Sequence, residues 1–220
     1  MKRVLIITAV IIAATGMATA QSVVGTPHDL SSGGPGATGD TGRVCAFCHT
    51  PHQPTGQATD PLWNHTLAGA NAYGVYDSDT MDAVDIVDIN GLATVSNLCM
   101  SCHDGSVAVN SLYNVPNDTA DGGTSVVLTD GGLVSGGVLT GTALLGLDLT
   151  NDHPINFTYD GALVTADGGL NDPTASPVLD LLFGGTVQCA SCHDPHDNSN
   201  TSFLVMDNVG SALCITCHQK

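Results

Sequence analysis

Cys45-Ala-Phe-Cys48-His49 is the first of four Cys-x-x-Cys-His motifs in this chain of 220 residues, and the four motifs together use all 8 cysteines. Motifs two to four are Cys99-Met-Ser-Cys102-His103, Cys189-Ala-Ser-Cys192-His193 and Cys214-Ile-Thr-Cys217-His218. The pattern is typical of c-type haem attachment, in which both thiols bind the vinyl groups of one haem and the histidine becomes the proximal iron ligand. The sequence therefore predicts four covalently bound haems c.

Zinc binding and disulfide formation are the other common uses of paired cysteines. The 21 residues between Cys192 and Cys214 are close to the spacing of a zinc ribbon. However, histidine occupies only 9 of 220 positions, so chance does not account for a histidine after all four pairs. Neither a zinc site nor a disulfide requires that histidine, and haem attachment is the favoured interpretation.

The N-terminal residues have the pattern of a secretory signal peptide. Residues 1–3 are basic after the initial Met, residues 4–14 are apolar, and residues 18–20 form an Ala-Thr-Ala cleavage site before Gln21. The apolar run is short for a membrane span. We therefore expect a secreted protein, extracellular or at the cell surface, with no membrane span.

Composition predicts little regular structure. The chain has 26 glycines, only 4% aromatic residues, and 21 acidic residues that are all Asp. Asp and Gly favour turns and caps over helix interiors. We expect a mostly irregular multihaem cytochrome with short helices at the haem motifs, a few short β-strands, and a core built around four haems.

The charge balance excludes some partners. Outside the predicted signal peptide, the only Lys or Arg residues are Arg43 and Lys220, against 21 Asp. Such an acidic surface is a poor match for nucleic acid or anionic lipid. We expect no nucleic-acid partner, and the charge favours solubility.

The motifs indicate a duplicated two-haem module. Motifs one and three continue as His-x-Pro-His, ending at His52 and His196, whereas motifs two and four are each preceded by Ser-x-Leu. The predicted organisation is a signal peptide (1–20), an N-terminal arm with a flexible Gly-rich linker (21–44), a first two-haem module (45–110), a haem-free insert rich in strands and turns (111–188), and a second two-haem module (189–220).

Local patterns predict where the short elements lie. Valine-rich and β-branched runs separated by Gly-Gly or Asp-Gly predict strands at residues 126–128, 138–139 and 155–159. Stretches without Pro predict brief helices at residues 99–109 and 211–220.

Five further histidines compete for four distal iron positions: His28, His52, His65, His153 and His196. His52 and His196 lie three residues beyond a proximal histidine, and three residues span at most about 10 Å. That reach is too short to pass around a porphyrin to the opposite face of the same iron. We therefore expect each to bind the iron of a neighbouring haem, with Pro51 or Pro195 fixing its direction.

His28 and His153 occupy matching positions upstream of the first motif of each module, which favours them as the other two distal ligands. His65 has no counterpart in the second module, so a structural role is favoured, with a reserve ligand as the alternative. The predicted iron ligands are therefore His49, His103, His193 and His218 on the proximal side, and His28, His52, His153 and His196 on the distal side.

Several segments carry a family resemblance beyond the haem motifs: Cys48-His49-Thr50-Pro51-His52, Pro61-Leu62-Trp63-Asn64, Ser101-Cys102-His103-Asp104-Gly105, Asn151-Asp152-His153-Pro154-Ile155 and Cys192-His193-Asp194-Pro195-His196. With them the chain resembles exported multihaem cytochromes of metal-reducing bacteria, especially the tetrahaem cytochromes that build extracellular nanowires. The resemblance implies bis-histidine irons, sparse secondary structure, and an N-terminal histidine donated to a haem of the next subunit. In this chain that donor would be His28, on an arm whose length suffices to reach a neighbour.

Three functional classes follow, in order of preference. The first is an extracellular filament of head-to-tail subunits that conducts electrons, and the second is a monomeric periplasmic or surface electron shuttle. Other redox proteins or extracellular acceptors would be its partners. The third class, a reductase, is least favoured because two imidazoles close the coordination sphere that catalysis at iron requires. We therefore expect that the protein is not an enzyme.

Overall fold

The computed structural model describes residues 22–54, 61–69, 73–84, 86, 94–129 and 131–219. The predicted signal peptide lies outside the described residues. Within the described residues, no helix has both the length and the apolar character needed to cross a membrane.

Regular structure in the described residues is sparse and short, which confirms the prediction of a mostly irregular chain with short helices and a few short strands. The longest helix has 9 residues. The α-helices are α1 (Val95–His103), α2 (Gly161–Asp167), α3 (Val178–Leu181) and α4 (Ala212–Cys217). The 3-10 helices are Val44–Phe47, Gly141–Ala143, Cys189–Ser191, Thr201–Phe203 and Val209–Ser211.

The strands are only two residues long and pair two by two. The antiparallel pairs are β1 (Thr38–Gly39) with β3 (Leu128–Thr129), β4 (Val134–Ser135) with β5 (Val138–Leu139), and β7 (Phe157–Thr158) with β8 (Thr186–Val187). One pair is parallel, β2 (Gly74–Val75) with β6 (Asp148–Leu149). Gly136 and Gly137, with φ of 60° and 90°, form the tight turn between β4 and β5, where positive φ favours glycine.

Residues 31–42, which the sequence predicts as a flexible linker, pack against other parts of the chain. Strand β1 lies inside that segment, Ala37 is buried against Val109 and Val134, and the buried Thr41 donates a hydrogen bond to Asp118 at 2.8 Å. At Gly39, a Cβ atom would lie 2.6 Å from side-chain atoms of neighbouring residues. The small residues of this segment therefore allow close backbone packing, and the N-terminal part of the chain is folded onto the insert.

The apolar core of the described residues is divided into small clusters, two of which include a residue of a haem motif. The largest centres on Phe157, Tyr159 and Val178 and packs against Cys217 of motif four. A smaller cluster pairs Met100 of motif two with Leu149. The Tyr159 hydroxyl lies 3.2 Å from the Cys217 carbonyl oxygen, so the insert anchors motif four by a hydrogen bond as well as by packing.

Candidate haem-binding sites

Motifs one and three share one local structure, built on a 3-10 turn followed by a bridge to a second segment. His49 forms an isolated β-bridge with Trp63, and His193 forms the equivalent bridge with Leu204. The residue after each histidine donates its backbone N–H across the bridge, from Thr50 to a carbonyl at 2.9 Å and from Asp194 to a carbonyl at 2.8 Å. The duplication therefore extends in space to residues 61–64 and 202–205, whose sequences differ.

Motifs two and four lie instead on α-helices. The Ser-x-Leu triplets stand at the beginning of α1 and α4, and the motif cysteines follow on the same helices. In α1 both cysteines are partly buried, whereas Cys214 in α4 is exposed. The two motif classes recognised in the sequence therefore correspond to two backbone conformations.

Motif two is joined to motif three by a buried polar network. The Gln188 side-chain oxygen accepts hydrogen bonds from the Ser96 hydroxyl at 2.6 Å and from the Ser96 backbone N–H at 3.2 Å. The Ser96 hydroxyl in turn accepts from the Cys189 N–H at 3.0 Å, and the Gln188 amide donates to Asn156 at 2.8 Å. The first cysteine of motif three is therefore fixed against the start of α1.

Burial and the proximity of motifs two and three both shift the pKa values of the motif thiols. Burial raises the pKa of Cys48 to about 11 and that of Cys102 to about 12. The thiols of Cys99 and Cys189 lie within hydrogen-bonding reach of each other, and this bond lowers the pKa of Cys189 to about 7 while raising the pKa of Cys99. Attachment points of two different motifs are thus in direct contact.

Three proximal histidines are oriented by backbone carbonyls. The Nδ1 of His49 lies 2.6 Å from the Pro61 oxygen, that of His103 lies 2.7 Å from the Ala143 oxygen, and that of His193 lies 2.8 Å from the Ser202 oxygen. A carbonyl oxygen only accepts, so each Nδ1 carries the proton and donates it. Each Nε2 is then the unprotonated nitrogen, the form in which imidazole binds a metal. The tautomer of each ring therefore fits iron ligation.

Each of three motif histidines also faces a second histidine, at a distance that allows both rings to bind one iron. The ring centroids are 6.1 Å apart for His28 and His103, 6.1 Å for His49 and His196, and 6.3 Å for His153 and His218. A bond from a metal to an imidazole nitrogen is about 2 Å long, and that nitrogen lies about 1 Å from its ring centroid, so two rings on one iron have centroids about 6 Å apart. The observed spacings fit one iron between the rings of each pair.

His28 is half-buried beside both a histidine and an aromatic ring. Its centroid lies 4.5 Å from that of Phe203, and its Nδ1 is buried without a hydrogen-bond partner in the described part of the chain. Burial, followed by the proximity of His103 and His196, lowers the pKa of His28 to about 4. The ring is therefore neutral at neutral pH, as metal ligation requires.

The placement of His28 bears on the contact with the next subunit that the resemblance implies. The resemblance implied that His28 reaches a haem of the next subunit, but the structure places it against His103 of its own chain. Because residues 31–42 are folded, the segment does not extend away from the molecule as a free arm.

Two predicted ligands lack such an arrangement. Within the described residues, no histidine ring forms an equivalent pair with His193 or with His52. His52 is exposed at the surface. The structure therefore brings together six of the eight predicted ligands and leaves these two apart from each other.

His65 is placed differently from the other histidines. Its side chain is 1% exposed, and its Nε2 lies 3.0 Å from the Ala108 carbonyl oxygen, to which it donates. Burial lowers the pKa of this imidazole. The neighbouring Asn64, also buried, donates to the carbonyl oxygens of Ala46 at 2.6 Å and Asn114 at 2.9 Å. Asn64 thus ties motif one to the segment that follows motif two, and His65 bonds to that same segment.

Comparison with protein families supports the haem interpretation. Residues 184–220 match the model of the doubled CXXCH motif, which spans motifs three and four. The match indicates a multihaem c-type cytochrome-like protein. Its CXXCH motifs indicate covalently bound c-type haem and an electron-transfer role. No curated protein matches the chain.

Proposed function

We propose that the chain is a secreted tetrahaem c-type cytochrome that conducts electrons through four bis-histidine haems and is not an enzyme. The observation that carries the proposal is the set of three histidine pairs with centroids 6.1 to 6.3 Å apart. Each pair joins one motif histidine to one histidine from elsewhere in the chain. Haem attached at these motifs supplies one-electron redox chemistry.

The protein residues have distinct roles in this proposal. The eight motif cysteines would hold the haems covalently, and the paired imidazoles would bind the irons, which would restrict the chemistry to outer-sphere electron exchange. Backbone carbonyls fix the tautomers of the proximal rings. The axial ligands, their hydrogen bonds and the surrounding burial then set the reduction potentials.

Close packing of the haems is supported by contacts between motifs. His196 belongs to the segment after motif three but faces His49 of motif one. The thiols of Cys99 in motif two and Cys189 in motif three are in hydrogen-bonding contact. Motif three is thus joined to both motifs of the first module, which supports a continuous route for electrons through the chain.

For assembly, we propose a head-to-tail filament in which His52 of one copy binds the iron beside His193 of the next copy. Among the described residues, His52 and His193 are the two predicted ligands whose rings do not face another histidine ring. His52 is also exposed. A contact that joins different surfaces and does not close on itself propagates as an open filament. A coordination bond at the joint would also bring haems of successive subunits close together.

The alternative is a monomeric electron shuttle. It is supported by the position of His28, whose ring lies 6.1 Å from that of His103 in its own chain. In that case His52 reaches the iron beside His193 within its own chain. Both forms carry the same four haems and differ only in where the last distal ligand comes from.

The deciding experiment uses full-length protein produced with a haem-attachment system. Haem quantitation should give four haems per chain, and electron paramagnetic resonance of filaments should show only low-spin iron. At nanomolar dilution, the filament proposal predicts that one quarter of the iron becomes high-spin, whereas a shuttle stays fully low-spin. The His52→Ala variant should lose filaments, while Gln53→Ala, a neighbouring control, should keep them. High-spin iron in intact filaments would contradict the proposed electron-conducting role.

Export is tested separately on the native protein. N-terminal sequencing of protein collected from the extracellular fraction should begin at Gln21, after the predicted cleavage site. Protein that retains residues 1–20 inside the cell would contradict the proposed location.

A further inference from the structure

Asp194 lies beside His196, the proposed distal ligand of the iron that His49 and His196 share. Its Oδ1 accepts a hydrogen bond from the ring Nδ1 of His196 at 3.2 Å and a second from the His196 backbone N–H at 2.9 Å. The Nδ1 atoms of His49, His103 and His153 donate instead to backbone carbonyls. His196 therefore differs from these ligands because its hydrogen-bond acceptor carries a negative charge.

We propose that Asp194 is a positioning residue that lowers the reduction potential of the iron shared by His49 and His196. The inference rests on the proposed function, because it takes His196 to be a ligand of that iron. Addition of one electron removes one positive charge from the metal centre as ferric iron becomes ferrous. A nearby carboxylate stabilises the more positive ferric form, and an anionic acceptor at Nδ1 makes the imidazole a more basic ligand. Both effects oppose reduction.

The surroundings hold Asp194 in place. Its backbone N–H donates to the Phe203 carbonyl oxygen at 2.8 Å, and its own carbonyl accepts from the Asp197 N–H at 3.1 Å. The side chains of His196 and Asp194 are 53% and 34% exposed, so solvent screens part of the charge. We therefore expect a resolvable shift at one iron, smaller than a fully buried carboxylate would produce.

Ring orientation gives a second, independent readout. The rings of His49 and His196 are nearly parallel, with 16° between their planes, whereas the other two pairs have angles of 85° and 71°. Parallel imidazoles split the two iron d orbitals that overlap with the ring π systems, whereas perpendicular imidazoles leave them close in energy. The iron shared by His49 and His196 should therefore give a rhombic low-spin signal, distinct from the large-anisotropy signals of the other two.

The matching position in motif one shows that this arrangement is not shared by both modules. There, Thr50 replaces the aspartate, and its hydroxyl donates to the backbone oxygen of His52 at 3.0 Å. His52 therefore has no carboxylate from its own His-x-Pro-His segment. Consequently, the two modules should differ in the potential of the iron that each trailing histidine serves.

The test is a redox titration of full-length haem-loaded protein, followed by electron paramagnetic resonance at each potential. In Asp194→Asn the amide oxygen still accepts a hydrogen bond, so the rhombic signal should persist while its midpoint potential moves to a more positive value. Asp197→Asn removes an equal charge three residues away and serves as the matched control, with no such selective shift. In Asp194→Ala the orienting acceptor is lost, and the g values of the rhombic signal should also change.

Two outcomes separate failure of this inference from failure of the proposed function. If His196→Met alters the rhombic signal but Asp194→Asn moves no potential, or moves it no more than Asp197→Asn does, the role of Asp194 is refuted. If His196→Met leaves every low-spin signal unchanged, His196 is not a ligand, and the ligand pairing itself is refuted.

Discussion

Replacement of Gln188 by Ala tests the polar junction between motifs two and three. Gln188 is 3% exposed and accepts from both the hydroxyl and the backbone N–H of Ser96, which is itself fully buried. The variant leaves the buried Ser96 N–H without this acceptor, which costs about 1 to 3 kcal/mol. It also removes the hydrogen bond to Asn156, with a net value of about 1 kcal/mol. The free energy of unfolding should therefore fall by about 2 to 4 kcal/mol.

The assay is guanidinium unfolding of haem-loaded protein, followed by circular dichroism in the Soret region. Covalent attachment keeps the haems on the chain in both states, so the midpoints of two variants can be compared under one condition. Gln219→Ala is the matched control, because its exposed side chain donates one bond to Leu170 at 2.9 Å and its loss should cost less than about 1 kcal/mol. Equal midpoints for the two variants would refute the structural role of the junction.

Three further predictions concern local anchors. Asn64→Leu removes two buried side-chain donors and should lower the free energy of unfolding by about 2 to 4 kcal/mol; an unchanged denaturation midpoint would contradict this. Asp160 caps α2, because its carboxylate accepts hydrogen bonds from two backbone N–H groups at the start of the helix. Asp160→Ala should therefore lower the free energy of unfolding by about 1 kcal/mol in the same assay. His28→Ala should keep full haem content and convert only the iron beside His103 to high-spin, measured by paramagnetic resonance in monomeric protein; wild-type spectra would show that His28 is not its ligand.

The haem motifs and the fold class could be predicted because they depend on local chemistry. Attachment needs five consecutive residues, so motif one is complete in Cys45 to His49 without any tertiary information. The excess of Asp and Gly likewise predicts turns, and strand β5 falls at Val138–Leu139, where the sequence predicts it. Local patterns therefore determine much of the backbone description.

The geometry of the ligands could not be predicted in the same way. The acceptors that orient the proximal rings, at Pro61, Ala143 and Ser202, are backbone oxygens, which exist at every position and leave no side-chain pattern. Their partners lie 9 to 40 residues away in the chain. Such contacts depend on the tertiary fold.

The folded segment at residues 31–42 shows a second limit of prediction from sequence. Glycine and small residues are the composition of a flexible linker, but they also permit close approach of two backbones. Gly39 allows close packing of another kind, since a Cβ atom there would lie 2.6 Å from the side chains of Phe47 and Val126. Composition alone does not distinguish these uses.

A structure of the haem-loaded protein would show directly whether the histidines are paired across the irons. Electron cryomicroscopy or crystallography at a resolution that shows axial ligands should place one iron between His28 and His103, one between His49 and His196, and one between His153 and His218. An open sixth position at any of these irons, or a different residue bound there, would contradict the account.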